Sequence, residues 1–325
     1  MVKNSDKSIR SIGDEMKALE SRLETRLPPE GYVVIRVDGR AFHTLTRPME
    51  KPFDPLFVNA MNNAAASVLE AVGAEFTYVQ SDEITAVLSP YGRKANVLPF
   101  DGRLEKLVTV AASAAASGFT RTLMMGVMND ALAAGEDGKW TTWTAGSAAR
   151  YSDGSPRFYG NIAEHAERPV SIYVPTVSFD GRAIHVEDLT GVSDNLLWRR
   201  VDCRKNAVSA AAQAEFSDRE LHGKSTAERW QMLADKHGGD FKIDDGLYWG
   251  RLLSTEDVPV DLHGESVDFS RRLLSEHTDD LPKKWREQEL SSERVRGLKV
   301  LPATKENTEW VLERLEAREQ GSPAV

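Results

Sequence analysis

Runs of apolar, mostly β-branched residues predict four short strands in the first two thirds of the chain. The runs lie at 32–38, at 75–80, at 84–89 and within 170–187. Only Ser81, Asp82 and Glu83 separate the second run from the third. So short a connection predicts an antiparallel hairpin.

Apolar residues at helical spacing fill the intervals between these strands. The predicted helices run over about 8–26, 55–72, 103–134, 193–216 and 225–237. Asp54 followed by Pro55 is typical of a helix start. The order strand, helix, strand, strand, helix, strand predicts an α+β fold of the ferredoxin-like (βαββαβ) type, in which the first and third strands are central neighbours.

Two segments fit this core poorly. Residues 135–168 have weak periodicity, and we expect an insertion there that is a long loop or a small hairpin. Beyond about 240 the chain is polar and interrupted by prolines, with helical pieces predicted near 266–276, 284–296 and 305–320. We therefore predict one α+β domain over 1–237, which contains the insertion, and a C-terminal helical extension over 238–325.

Composition narrows the class of protein. The chain has 325 residues and a single cysteine, Cys203, which excludes an intramolecular disulfide framework and a cysteine-based zinc site. No apolar run approaches the roughly 18 residues that a membrane helix needs, and the charged first twenty residues are unlike a signal peptide. We therefore expect a cytoplasmic protein without a membrane segment.

The net charge of −9 has the wrong sign for binding nucleic acid with the whole surface. A nucleic-acid partner would require local basic clusters, and each cluster could equally be a solvated helix face. The candidate residues are Arg199, Arg200, Arg204 and Lys205, then Lys283, Lys284 and Arg286, and finally Arg294, Arg296 and Lys299.

Carboxylates follow two of the predicted strands. Asp38 ends the first strand, and Asp82 and Glu83 occupy the hairpin turn, so they converge if the first and third strands are neighbours. Adjacent acids in a turn repel one another, and a metal cation would remove that repulsion. Converging carboxylates collect Mg²⁺, and two Mg²⁺ ions about 4 Å apart can transfer phosphoryl or nucleotidyl groups. The alternative is a solvated turn with no metal.

A glycine after Asp38 suggests where a nucleotide could lie. The Gly39 carbonyl could be a third metal ligand, and the following amides could surround a triphosphate. These amides belong to Arg40, Ala41, Phe42 and His43. Asp-Gly is also a common turn dipeptide. The tripeptide Asp-Gly-Arg at residues 38–40 recurs at Asp101 and at Asp180, which we interpret as a helix N-cap and a strand turn.

Three further polar residues share one face of the helix that starts near 103, namely Arg103, Lys106 and Thr109. Cations at a helix N-terminus are unfavourable unless an anion lies there, so this turn could bind a triphosphate. The alternative is a basic surface turn.

His43 could contact the nucleotide, transfer a proton or bond to the backbone.

At these residues the sequence resembles the tRNA-His guanylyltransferase family, especially its bacterial, archaeal and phage-type "like" members, over about residues 8 to 235. The ordered motifs are Ser11 to Lys17, Arg36 to His43, Lys51 to Asp54, Gln80 to Glu83, Arg103 to Thr109, Phe179 to Arg182, Trp198 to Cys203 and Gly223 to Thr226.

The resemblance implies a polymerase-type palm and a 3′-to-5′ nucleotidyltransferase. Such an enzyme uses ATP or GTP, adds nucleotides to the 5′ end of tRNA or a tRNA-like RNA, and releases pyrophosphate. Asp38 and Asp82, with the Gly39 carbonyl, would hold two Mg²⁺ ions, and Glu83 would join them in catalysis. Nucleotide contacts would come from Gly39, Arg40, Ala41, Phe42, His43, Ser81 and Lys106. A homodimer or homotetramer is also implied.

One segment departs from the family pattern. Eukaryotic members carry His-Ile-Asn-Asn-Leu-Tyr-Asn where this chain has residues 204–210, and only Asn206 agrees. Repair of 5′-truncated RNA therefore fits better than strict tRNA-His specificity. Two other functions stay open, namely a nucleotide cyclase or second-messenger synthase on the same palm, and a nucleotide- or RNA-binding protein without catalysis.

Overall fold

The computed structural model describes residues 9–47, 49–91, 93, 96–134, 177–259 and 294–320. These residues form helices and an antiparallel sheet, which confirms the α+β class. The chain divides into two compact units, Met1–Leu253 with Leu301–Val325, and Ser254–Val300. The domain boundary that we predicted after residue 237 lies inside the first unit. The predicted insertion at 135–168 lies outside the described residues.

The strands are β1 (Tyr32–Gly39), β2 (Phe76–Gln80), β3 (Glu83–Leu88), β4 (Phe179–Val186), β5 (Arg251–Pro259) and β6 (Arg294–Pro302). Their order in the sheet is β4-β1-β3-β2-β5-β6. β1 is antiparallel to both β3 and β4, and β2 is antiparallel to both β3 and β5. The first and third strands are therefore neighbours, as the sequence predicts.

The helices are α1 (Ile9–Ser21), α2 (Phe42–Leu45), α3 (Pro55–Ala71), α4 (Leu104–Ala134), α5 (Leu189–Glu215), α6 (Asp218–Leu221), α7 (Thr226–Lys236), α8 (Asp245–Tyr248) and α9 (Lys305–Glu319). The predicted start of α3 is confirmed, because the Asp54 carboxylate accepts hydrogen bonds from the backbone N–H groups of Leu56 and Phe57 at 2.9 and 3.1 Å. Asp54 therefore satisfies amides that a helix start leaves without partners.

Both faces of the central strands are buried, which explains their continuous apolar runs. Val33, Ile35 and Val37 of β1 pack in one core cluster with residues of α3 and α4. Tyr32 and Val34, which alternate with them, pack in a second cluster with residues of α5 and α9. Alternation along β1 therefore points Arg36 and Asp38 towards the α5 side of the sheet.

The predicted helical extension after residue 238 missed two strands. Leu252 and Leu253 of β5 are buried in opposite core clusters, but they are only two apolar residues beside polar ones, too short a run to indicate a strand. Strand β6 begins at Arg294, so residues 294–296 are in a strand and not in the predicted helix. The helix predicted near 305–320 is confirmed as α9. The helix predicted near 266–276 and residues 284–293 of the next lie outside the described residues.

The role that we predicted for Asp101 was also wrong. Asp101 lies in a short 3₁₀ turn, Pro99–Gly102, with a left-handed φ of 57°, and it is not an N-cap of α4. Its carboxylate instead pairs with the guanidinium of Arg26. This pair joins the segment after α1 to the start of α4.

Candidate active site

Two loops meet at one end of the sheet, where β1 ends and the β2–β3 hairpin turns. This end, which contains Asp38 and Asp82, is the carboxylate edge. The backbone N–H of Gly39 donates a hydrogen bond to the carbonyl oxygen of Asp82 at 3.0 Å. In the pairing of β1 with β3, Asp38 lies opposite Glu83. Opposed residues in antiparallel strands have Cβ atoms about 4.5–5.5 Å apart. The structure therefore brings the predicted carboxylates together.

A third carboxylate joins them from β4. Asp180 lies inside this strand, directly opposite Asp38, so our interpretation of it as a turn residue was wrong. Alternation of side chains places Asp180 on the same face of the sheet as Asp38. The alternation of apolar Phe179 with polar Asp180 indicates a strand, but the register that opposes two aspartates is set by long-range pairing, which the sequence does not display.

Burial and mutual repulsion disfavour the charged forms of these carboxylates. Burial raises the pKa of Asp38, and the neighbouring charges of Asp82 and Asp180 raise that pKa further. Burial likewise raises the pKa of Asp82, although a hydrogen bond from the Ser81 side chain and the charge of His43 lower it in part. A cation bound at this edge would offset both effects.

The oxygen donors at this edge suit Mg²⁺, which prefers carboxylates and carbonyls and keeps several waters. Among the residues that the structure describes, no three acidic, histidine or cysteine side chains are already arranged to hold a metal ion. Asp38 and Asp82 could supply only part of a coordination shell, and substrate phosphates and water would have to supply the remaining ligands.

Glu83 differs from its two acidic neighbours because it already has cationic partners. Its carboxylate lies 3.1 Å from Nε of Arg199 and 3.6 Å from Nε of Arg36. Burial raises the pKa of Glu83, and the charge of Arg199 is the largest influence that lowers it. The carboxylate that we predicted to act in catalysis is thus engaged by two arginines.

These contacts extend into α5, which carries Arg199. Nη2 of Arg199 donates to the Asp202 carboxylate at 2.6 Å. The side-chain amide of Gln80 lies 3.3 Å from Glu83 and 3.5 Å from Asp202, and it accepts a hydrogen bond from Asn206 at 3.4 Å. The hairpin turn is therefore joined to α5 by a polar network whose α5 members the sequence did not reveal as site residues.

Gly39 has a packing role that the sequence reasoning missed. A Cβ atom at this position would lie 2.5 Å from the ring of Phe42, so only glycine permits the contact. The Phe42 ring is buried and packs against Phe57, Phe119 and Phe179. Phe42 therefore anchors the loop after β1, and its side chain is part of the core.

The predicted ring of phosphate-binding amides is only partly available. The backbone N–H of Arg40 bonds to the carbonyl of Ser178 at 3.0 Å, which removes it from that ring. Ala41 adopts a left-handed φ of 59° and precedes α2, so the amides of Phe42 and His43 open a helical turn without intrahelical acceptors. The His43 side chain lies 3.1 Å from the Thr44 hydroxyl.

Of the three polar residues predicted at the start of α4, Lys106 alone has a side chain that makes no polar contact with the residues that the structure describes. Nε of Arg103 donates to the carbonyl of Phe100 at 3.1 Å, and its guanidinium lies 3.8 Å from Glu24. The Thr109 hydroxyl donates within its own helix, to Glu105. Lys106 is exposed, and its contact with phosphates stays a prediction.

A cavity of about 490 Å³ opens beside the hairpin turn. This volume is in the range of small-ligand sites. Its lining includes Ser81 and Asp82, residues of the loop before α3, and residues of α5. Among the lining residues are His43, Lys51, Phe53, Asp54, Asn206 and Gln213. The loop before α3 forms one wall of the cavity. The motif from Lys51 to Asp54 was the only signal in the sequence for that wall.

Comparison with known proteins identifies a family and relatives that match most of this chain. The family model for tRNAHis guanylyltransferase matches residues 13–187. The tRNA(His) guanylyltransferase of Schizosaccharomyces pombe is 27% identical over 259 residues, which cover 75% of this chain and 81% of the relative. The enzyme of Eremothecium gossypii is 28% identical over 243 residues, covering 70% of this chain and 84% of the relative.

A solved bacterial tRNA(His) guanylyltransferase-like protein, in complex with ATP, has a TM-score of 0.56 at 24% identity and covers 83% of this chain and 97% of that chain. At this identity the likeness supports the fold alone. The fold, the carboxylate edge and the sequence match together define a nucleotidyltransferase. The chain belongs to the tRNAHis guanylyltransferase family.

No helix within the described residues is long and apolar enough to cross a membrane.

Proposed function

We propose that this protein is a Mg²⁺-dependent 3′-to-5′ nucleotidyltransferase that adds nucleotides to the 5′ end of tRNA or tRNA-like RNA and releases pyrophosphate. The observation that carries the proposal is the convergence of Asp38 and Asp82 at one sheet edge beside the cavity. Both carboxylates are buried enough to raise their pKa, and burial without a cation is unfavourable.

In this proposal the Asp38 and Asp82 carboxylates and the Gly39 carbonyl hold two Mg²⁺ ions. When bound, the ions would offset charge on the attacking and leaving oxygens of the transfer. Asp38 and Asp82 would orient the triphosphate and the attacking RNA end through this site, and the hydrogen bond from Gly39 to Asp82 fixes the two loops to each other.

The residues around the edge receive more specific roles. Phosphate oxygens would accept hydrogen bonds from the amides that open α2 and a charge contact from Lys106. The cavity would take the base and sugar of ATP or GTP, in contact with Ser81 and His43. We assign Glu83 a positioning role, since Arg199 and Arg36 already engage its carboxylate. This assignment replaces the catalytic role that the sequence suggests.

The strand order β4-β1-β3-β2, with α3 and α4 in the two crossovers, supports a ferredoxin-like palm.

The acceptor RNA is less defined. Asn206, the only residue of segment 204–210 that agrees with the eukaryotic pattern, donates to Gln80 beside the hairpin turn. The altered segment around it favours repair of 5′-truncated RNA over strict tRNA-His specificity. A cytoplasmic location and a homodimer or homotetramer stay predictions.

The test is an incubation with Mg²⁺, labelled nucleoside triphosphates and a tRNA that lacks its 5′ nucleotide. We expect growth at the 5′ end in the native protein and none in Asp82→Asn. A cyclic nucleotide formed without RNA would replace the proposal with a cyclase. Binding of RNA and nucleotide without any product would replace it with a non-catalytic binding protein.

A further inference from the structure

An exposed tryptophan lies beside the carboxylate edge. Trp198 of α5 keeps 56% of its surface accessible, although tryptophan is normally well buried. The Arg199 guanidinium lies 4.0 Å from its ring centroid, and that of Arg36 lies 5.4 Å away. Arg36 precedes Asp38 by two residues on the same face of β1, which is a distance of roughly 7 Å along the strand.

The core of the protein does not account for this placement. α5 buries a different set of positions, including Val192, Leu196 and Cys203. Its exposed stripe continues from Trp198 through Val201 to the exposed basic residues Arg204 and Lys205, at spacings of three and four. An aromatic side chain near the carboxylates is thus followed by cations along the same helix.

Two kinds of partner could cover such a stripe, a protein surface or an RNA strand. The charges favour RNA, because the exposed cations Arg204 and Lys205 follow the ring along α5. Arg36 and Arg199 also lie at the ring, but both are paired with Glu83. Single-stranded RNA ends are recognised by stacking of bases on aromatic rings and guanidinium planes, with basic residues following the backbone.

We propose that Trp198 is a stacking subsite for the base of one of the first two nucleotides at the RNA 5′ end, and that Arg204 and Lys205 follow its phosphates. This inference rests on the proposed function and names the part of the RNA that one surface holds. Stacking requires no particular base, so the subsite would hold 5′ ends of different sequence beside Asp38 and Asp82.

The test measures equilibrium binding of a fluorescent tRNA by anisotropy, without nucleoside triphosphate. The variants are Trp198→Ala, Trp198→Phe and Leu197→Ala, the last as a matched control because Leu197 is the adjacent residue and has the same 56% exposure. Each is tested with intact RNA and with RNA that lacks the base of nucleotide 1 or nucleotide 2. Thermal denaturation of each variant confirms that it is folded.

We expect Trp198→Ala to weaken binding of intact RNA by about tenfold or more, as loss of one stacked base would. Trp198→Phe should recover part of the affinity, and Leu197→Ala should bind normally. For one of the two abasic RNAs, the native protein and Trp198→Ala should bind equally well. Such a result establishes the subsite even if no nucleotide is transferred, which would count against the proposed function alone.

Three results would overturn the subsite. The first is an equal loss of affinity with intact and with both abasic RNAs. The second is an equal loss in Leu197→Ala. The third is unchanged RNA binding together with a change in oligomeric state of Trp198→Ala in gel filtration, which would assign the stripe to contact between copies of this chain.

Discussion

Buried carboxylates have opposite surroundings at the two ends of the central sheet, with acidic neighbours at one end and arginine partners at the other. At one end Asp38, Asp82 and Asp180 lie close together, and the largest influences on the pKa of Asp38 are burial and its acidic neighbours. At the other end Glu75 is more deeply buried than Asp38, but the guanidinium groups of Arg93 and Arg318 pair with it. Their charges lower a pKa that burial raises.

The difference separates a site from a structural contact. Glu75, paired with Arg318, holds helix α9 against the start of β2, and its charge requires no further partner. Carboxylates that repel one another in a partly buried position destabilise the folded chain until a cation arrives. Glu83 shows that the distinction does not follow sequence position, because it adjoins Asp82 and yet has two arginine partners.

The largest effect is expected from Asp38→Asn and Asp82→Asn. Each variant should lower nucleotide transfer by about 1000-fold or more, because the metal ligands would be lost. Without Mg²⁺, the thermal midpoint should stay the same or rise, since a neutral amide removes a disfavoured charge. Product assays and thermal denaturation measure the two quantities. A collapse of the fold in either variant would assign that residue to structure.

The next largest effect is expected from Arg199→Met, which leaves Glu83 buried with only the more distant Arg36. We expect a loss of about 3 kcal/mol in the free energy of unfolding and about a 10- to 100-fold lower transfer rate, because the hairpin turn loses its anchor. Arg200→Met is the matched control on the same helix, since Arg200 lies over the Trp249 ring and has no part in this network. Equal effects in the two variants would remove the positioning role.

At the opposite end, Glu75→Ala should change stability and spare catalysis. Removing the buried carboxylate leaves two partly exposed arginines without their partner, which costs about 1–3 kcal/mol of unfolding free energy after allowance for their hydration. Denaturant unfolding gives the stability, and the transfer rate per folded molecule should match that of the native protein. A large loss of that rate would show that the two ends are coupled.

The smallest effect concerns Cys203, the buried cysteine of α5. Burial raises the pKa of its thiol to about 11, so little thiolate exists at pH 8. We expect slow reaction with a thiol reagent in the native protein, faster reaction as the pH approaches that value, and rapid reaction after denaturation. Rapid labelling at pH 8 under native conditions would mean that the α5 wall of the cavity opens readily.

The sequence predicted most of the fold around β1 to α5 because each element has its own signal. Valine-rich runs indicate the strands, and Asp54 with Pro55 indicates the start of α3. Strand β5 was missed because Leu252 and Leu253 form a run of only two apolar residues, and they are buried through pairing with β2 and packing in the two core clusters. Local periodicity contains no information on that pairing.

The sequence likewise predicted some residues of the site and missed others. Asp38 and Asp82 follow strands, so strand order alone suggested that they converge. The partners of Glu83 could not be found, because Arg199 lies more than one hundred residues away on a helix that presents several arginines. Asp180 was discounted as a common turn motif, and only the register of β1 with β4 shows that it opposes Asp38.

The most direct test of the central claim is Mn²⁺ binding, with Mn²⁺ as a spectroscopic substitute for Mg²⁺, followed by electron paramagnetic resonance in the presence of a non-hydrolysable nucleoside triphosphate. The native protein and Glu83→Gln should bind the metal, whereas Asp38→Asn and Asp82→Asn should lose most of that binding. Normal binding in both aspartate variants, or its loss in Glu83→Gln alone, would contradict the assignment of the carboxylate edge.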